Sequence, residues 1–474
     1  MSRILMASSE ATPFAKTGGL ADVVGALPSA LAEQGHEAAV VLPRYRSVSL
    51  DRARCVLDEL PIFLGSHVLH CSIWRQDHNG IAFYFVECPQ LFDRDGFYNA
   101  YGHDFADNHL RFAAFSAAVL GVLRNVHPAE VLHLHDWQSA LAAAYLRTRF
   151  QLDPALKNTR IVFTIHNLEH QGRFAAPAFA ELGLERWLMQ PHYLEFYGDV
   201  NFMKAGICFA DAITTVSPTY ATEIQTPEFG YGLEGLLREN ASKLTGILNG
   251  VDYGDWSPDH DPVLAANYTV DDLKGKAVCK DALIGQAGLP ASTAKRPLLG
   301  VVSRFARQKG FDTFAEIAFE LFSNDDVAMV FLGSGEKQYE TLFRHLMASC
   351  PDRVWGHFGY DNALSHRIEA GADMFLMPSL FEPCGLNQMY SLRYGTIPIV
   401  RATGGLEDTV DAETGFKYRG YAGSDLLIAI RLALAEFHDK DAWTARMQRA
   451  MSRDFSWGAS AGEYSRLYER LTSE

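Results

Sequence analysis

Short apolar runs recur along the chain at intervals that suit alternating strands and helices. Residues 4–8 read as a strand, and Lys16-Thr17-Gly18-Gly19 as a flexible loop behind it. Leu20, Val23, Val24, Leu27 and Leu31 then follow at helical spacing. Gly35 stops that helix, and residues 38–42 make the next strand. Pro28 falls inside the helix and predicts a kink there. Residues 131–134, 161–165 and 212–216 continue the strand series, with helical stretches between them.

The rhythm restarts near Pro297. Residues 298–302, 327–332, 374–377 and 397–400 read as buried strands, each followed by a helix-like segment. Strands alternating with helices predict parallel sheets covered on both faces. Residues 249–294 are rich in Asp, Pro and Gly and carry no steady strand rhythm, so the domain crossover is placed near Gly250. The expected division is residues 1–250, residues 251–457 and a final helix in 458–474 packing back on the first domain.

Composition narrows the class. Apolar residues are 48 % and charged residues 21 % of a 474-residue chain, the mix of a globular protein with substantial cores. No stretch approaches the roughly 20 apolar residues of a membrane span, and residues 4–7 are too short for a signal-peptide core. A cytoplasmic protein is therefore expected. Cys55, Cys71, Cys88, Cys208, Cys279, Cys350 and Cys384 lie far apart without a C-x-x-C pair, which argues for reduced thiols. A net charge of −15 disfavours nucleic acid and anionic membrane as partners. An anionic substrate would then need a local cluster of cations.

The chemistry-bearing residues gather behind the strands. Thr17-Gly18-Gly19-Leu20-Ala21-Asp22 is echoed by Thr403-Gly404-Gly405-Leu406-Glu407-Asp408, each after a strand and before a helix. A Gly-Gly turn entering a helix exposes backbone N–H groups that favour an anion, or it is a tight connection only. Neither copy is a G-x-G-x-x-G fingerprint or a Walker loop, which disfavours a nicotinamide dehydrogenase or an ATPase. Arg304 and Lys309, in Ser303-Arg304-Phe305-Ala306-Arg307-Gln308-Lys309-Gly310, stand at the carboxyl end of a parallel strand. There they suit a diphosphate leaving group. Glu382, in Phe381-Glu382-Pro383-Cys384-Gly385-Leu386, sits in a Pro-bounded turn that reads as running straight into a helix. It is placed to bond sugar hydroxyls or to cap that helix. His133-Leu134-His135-Asp136-Trp137 and Thr164-Ile165-His166-Asn167 end two strands of the first half. Their polar groups suit hydroxyl recognition, and Trp137 suits stacking on a sugar. The three histidines lack a clear carboxylate set, so no metal site is expected.

This ordered set of motifs resembles the bacterial glycogen and starch synthase family over nearly the whole chain. Val216-Ser217-Pro218-Thr219-Tyr220, Tyr231-Gly232-Leu233-Glu234-Gly235 and Leu248-Asn249-Gly250-Val251-Asp252 complete the series. The resemblance implies an α/β protein with two Rossmann-like domains facing across a cleft, the GT-B glycosyltransferase fold, closing on a nucleotide sugar. It implies transfer of glucose from ADP-glucose to the non-reducing end of glycogen or a malto-oligosaccharide, with retention and without a metal or other cofactor. By motif, Lys16, Arg304 and Lys309 would bind the diphosphate, with Gly18 and Gly19 and the second Gly404-Gly405-Leu406 turn beside it. Gly359 and Tyr360 would lie by the adenine, and Asp136, His166, Asn249 and Glu382 would hold the transferred glucose.

Two positions depart from the family pattern. Leu380 stands where the family usually has Arg, and Asn387 where it usually has Thr, close to the distal phosphate. They leave two other readings in play: the same fold using UDP-glucose or a small-sugar acceptor, and a catalytically silent glucan-binding protein. The retained Lys16, Arg304, Lys309 and Glu382 argue against the second.

Overall fold

The computed structural model describes residues 1–100 and 102–473. The chain divides into two compact units, Met1–Val216 with Ala221–Gly250 and Trp457–Glu474, and Ser217–Tyr220 with Val251–Ser456.

The first unit is built on β1 (Arg3–Ala7), β2 (Glu37–Pro43), β3 (Arg54–Leu64), β4 (His67–His78), β5 (Ile81–Glu87), β6 (Val131–His135), β7 (Arg160–Ile165), β8 (Ala212–Thr215) and β9 (Leu244–Gly246). Their order in one sheet is β9-β8-β7-β6-β1-β2-β5-β4-β3. From β9 to β5 all neighbours pair in parallel. These strands read as near-continuous apolar runs because helices cover both faces. The far edge departs from the expected all-parallel pattern, since β4 pairs antiparallel with both β5 and β3. There Leu60, Ile62 and Leu64 are buried while Pro61 and Phe63 face outward, the alternation of a half-solvated strand.

The direction in which successive strands are added reverses between β1 and β6, because β1 leads on to β2 on one side and β6 leads on to β7 on the other. That is the topological switch point of the sheet. The helix Gly19–Glu33 runs as one element through the buried Pro28. The terminal helix Trp457–Ser473 belongs to this unit. Ser465 Oγ bonds His36 Nε2 at 2.7 Å, and Tyr468 Oη bonds His133 Nδ1 at 2.8 Å.

The second unit carries β10 (Leu298–Val302), β11 (Ala328–Gly333), β12 (Val354–Phe358), β13 (Met374–Met377), β14 (Ile397–Arg401) and β15 (Phe416–Tyr418), in the order β12-β11-β10-β13-β14-β15. Every pair is parallel. The switch point lies between β10 and β13. On one face Phe305, Phe311, Phe331 and Phe343 pack into a core with Leu321 and Ile430. On the other, Leu283 and Ile284 of the helix Lys274–Ala287 meet Leu298, Val330 and Ile368. Lys276 of that helix is buried and donates to the carbonyls of Ala370 and Tyr394 and to Thr396 Oγ1. Between β9 and β10 the described chain forms no strand, in keeping with its irregular sequence.

Candidate functional site

In an open α/β sheet, ligands bind at the carboxyl ends of the strands beside the switch point. In the second unit that place is a cavity of about 190 Å³. Residues that follow β10 (Ser303, Arg304, Lys309) and residues that follow β13 (Pro378, Ser379, Glu382) line it together. The two loops can meet because Gly310 adopts φ 74°, and a Cβ there would stand 1.8 Å from Pro378 O. Lys309 Nζ donates to Glu382 Oε2 at 2.6 Å and Ser379 Oγ donates to the same oxygen at 3.0 Å. Glu382 is buried at 6 % exposure, and its Oε1 has no hydrogen-bond partner among the described residues. Arg304 is exposed and its guanidinium makes no hydrogen bond or ion pair among the described residues. Two cations and one half-occupied carboxylate thus share one concave site.

The expectation that Glu382 lies directly before a helix needs correcting. The next helix is Asn387–Arg393 with Leu386 at its N-cap, so Glu382 is not a cap. Its loop is held by backbone partners instead: Leu380 N donates to Gln308 O at 2.8 Å and Gly405 N to Glu382 O at 3.1 Å. The Gly404-Gly405 turn is consequently a close-approach device. A Cβ on Gly404 would meet Glu382 O at 1.9 Å and one on Gly405 would meet Cys384 O at 2.0 Å. Gly405 N and Leu406 N already donate within the fold, to Glu382 O and Thr403 O, so the free N–H groups expected at those two residues are not found. Asn387 lines the cavity, but its Nδ2 donates to Val302 O at 2.7 Å, tying its helix to β10. Gly359 and Tyr360 stand just past β12, and Tyr360 is 80 % exposed.

In the first unit the switch point gathers Lys16, Gly18 and Gly19 behind β1 and Asp136 behind β6. Asp136 has φ 55°, a left-handed conformation that a non-glycine residue rarely adopts. It opens the helix Asp136–Thr148, and its Oδ1 accepts from His166 N at 2.7 Å. Burial pushes the Asp136 carboxyl up to about 7, against backbone N–H bonds from His166 and Asn167 that lower it. Burial pushes His166 down to about 3, so its ring is neutral at ordinary pH. His166 Nε2 pairs with His135 Nδ1 at 3.0 Å, and its Nδ1 has no partner among the described residues. Asn249 lies on the loop after β9, with its Oδ1 buried and without a hydrogen-bond partner among the described residues. Lys16 is exposed and ion-pairs with Asp22 at 2.7 Å. Gly18 is extended, with open space around the position of a Cβ.

Trp137 is a second correction. It is 9 % exposed and packs against Phe112 and Phe174 with centroids at 4.9 and 5.7 Å, so it is a core residue and not a sugar platform. Sequence reasoning missed Glu10. This buried carboxylate accepts from Thr17 Oγ1 at 2.6 Å, from Thr17 N and from Tyr98 Oη, and so fixes the loop that carries Lys16. Its place three residues beyond β1, at a switch point, is the signal that marked it. Among the described residues no group of three or more His, Cys, Asp or Glu is arranged to hold a metal ion.

Two Rossmann-like sheets, the first parallel apart from one antiparallel edge and the second parallel throughout, each with polar residues at its switch point, define a glycosyltransferase of the GT-B class. Residues 3–239 match the family described as starch synthase catalytic domain, and residues 290–447 match glycosyl transferases group 1. The chain is 48 % identical over 475 residues to a glycogen synthase of Koribacter versatilis, covering 98 % of each. It is also 48 % identical to one of Anaeromyxobacter dehalogenans, covering 99 % of each. The catalytic domain of starch synthase IV from Arabidopsis thaliana bound to ADP and acarbose superposes with a TM-score of 0.91 at 35 % identity, over 100 % of this chain and 99 % of that one. The chain belongs to the glycogen and starch synthase family.

Proposed function

We propose that the protein transfers glucose from ADP-glucose to the non-reducing 4-hydroxyl of an α-1,4-glucan, with retention of the anomeric configuration. The observation that carries this reading is the switch-point cavity of the second unit, which Arg304, Lys309 and Glu382 line and where Lys309 pairs with Glu382. The leaving diphosphate gains negative charge as the C1–O bond breaks, and preorganised cations lower that barrier. Lys309 and Arg304 supply the charge, with Lys16 as the cation of the first unit. The open Oε1 of Glu382 suits a sugar hydroxyl, and the exposed ring of Tyr360 suits a purine face. Asp136, His166 and the unpartnered Oδ1 of Asn249 suit further sugar hydroxyls. A neutral His166 is a hydrogen-bond partner, not a general acid. In this reading the departing phosphate oxygen takes the proton of the acceptor hydroxyl, and no enzyme nucleophile is needed.

The acceptor in this reading is glycogen or a malto-oligosaccharide and the compartment is the cytoplasm. The relatives' names and the ADP and acarbose of the superposed enzyme support the donor and acceptor. All seven cysteines are free, and no described helix is long and apolar enough to cross a membrane.

The test is incorporation of labelled glucose into glycogen from ADP-glucose, with UDP-glucose alongside and chelator in both. Strong transfer from ADP-glucose that survives the chelator is expected. Transfer from UDP-glucose alone would overturn the donor, and transfer from neither would overturn the activity.

A further inference from the structure

Arg401 ends β14 and is 9 % exposed. Its Nη1 donates to Leu380 O at 2.5 Å and reaches Ser379 O at 3.5 Å. Its Nε is buried without a partner, and no carboxylate lies within ion-pair distance among the described residues. The ring of Tyr421 lies 5.3 Å from Cζ, and Tyr418 stands beside Arg401 on β15. A buried guanidinium lacking a counter-ion is costly, and a neutral donor could satisfy the same carbonyl. What distinguishes the place is the loop it grips. Leu380 and Ser379 lead from β13 to Glu382, and Ser379 Oγ itself bonds Glu382 Oε2. Leu380 N is already tied to Gln308 O on the loop that carries Lys309. The carbonyl side of the same residue is left to Arg401.

We propose that Arg401 is a positioning residue that fixes the Ser379-Leu380 backbone and thereby the carboxylate of Glu382. Arg401 does not line the cavity, so it acts through Glu382 and not on the substrate. The inference rests on the transferase reading above, and wild-type turnover in the same assay checks that reading separately.

The experiment compares wild type with Arg401→Met, Glu382→Gln and the double variant, measuring kcat, the Kd for ADP and thermal stability. Misplacement of a reacting group by about 1 Å can cost on the order of a hundredfold. Arg401→Met is therefore expected to lose about 10- to 100-fold in kcat while ADP affinity stays within about threefold, since Arg304 and Lys309 are untouched. The double variant is expected to be no slower than Glu382→Gln alone, because two changes acting through one group do not add. Wild-type kcat in Arg401→Met would overturn the proposal, as would losses that multiply in the double variant. An ADP-affinity loss equal to the kcat loss would also overturn it, assigning Arg401 to the anion. Should Arg401→Met fail to fold, Arg401→Lys carries the same cycle, with one donor left to reach a carbonyl and a smaller loss expected.

Discussion

Lys309 and Glu382 form one ion pair at 2.6 Å, with side chains only 19 % and 7 % exposed. The cation that would meet a diphosphate is therefore also the cation that holds the carboxylate of the same cavity. Removing it has two consequences. Lys309→Ala deletes a transition-state donor, worth roughly two to three powers of ten in kcat. It also leaves a buried carboxylate supported by Ser379 alone, which lowers stability because an unpaired buried charge is costly. Steady-state kinetics and a melting curve on the same preparation check both. Unchanged kcat in a folded variant would remove Lys309 from the chemistry.

How far the sequence reveals this site follows from how each residue works. Arg304, Lys309 and Glu382 are legible because they stand just past apolar runs, and parallel strands present their carboxyl ends to ligands. Asp136 and His166 are legible for the same reason. Trp137 misleads, since an aromatic residue beside a polar motif looks the same in sequence whether it faces a ligand or, as here, Phe112 and Phe174. The antiparallel β3-β4 edge is written in the alternation around Leu60 and Ile62, a weaker signal than the continuous runs of the buried strands. Arg401 acts through a backbone carbonyl 21 residues away, which no local pattern records. Glu10 stands just past β1 as the legible residues stand past their strands, but its partner Tyr98 lies 88 residues further on.

Gly404 offers a test of the close approach between its turn and the Glu382 loop. Its φ of 45° disfavours a side chain, and a Cβ would lie 1.9 Å from Glu382 O. Backbone must move to relieve that contact. Gly404→Ala is expected to cost about 1–3 kcal/mol of stability. It is also expected to lower kcat more than tenfold by displacing the loop. A kcat within a factor of two of wild type would show that the Glu382 loop tolerates the shift.

Glu369 gives a stability prediction away from the site. It is buried, and burial pushes its carboxyl up to about 8 against the hydrogen bond from Ser391 and the charge of Lys276. The folded value lies above the roughly 4.3 of an exposed Glu, so the native protein holds a proton that the unfolded chain has lost. The contribution is full below about pH 4.3 and is lost as pH rises through 8. Glu369→Gln cannot ionise. Its Tm advantage over wild type is expected to grow between about pH 5 and pH 9, and a constant difference would show that Glu369 ionises as freely folded as unfolded.

Asp136 combines the same physics with activity. Its folded value of about 7 again lies above that of an unfolded Asp, roughly 3.9, so ionising it opposes folding as pH rises from about 4 to 7. The ionised form is nevertheless the better acceptor for a sugar hydroxyl, since its Oδ1 also serves His166 N. Turnover is therefore expected to rise with pH through a midpoint near 7. Asp136→Asn keeps the shape and a carbonyl acceptor but removes the charge. It is expected to melt higher than wild type near pH 8, to lose roughly 10- to 100-fold in kcat there, and to lack the limb near 7. A pH–kcat profile of the variant that keeps the same midpoint would assign that limb to another group, and a lower melting point would show that the buried charge is compensated within the fold.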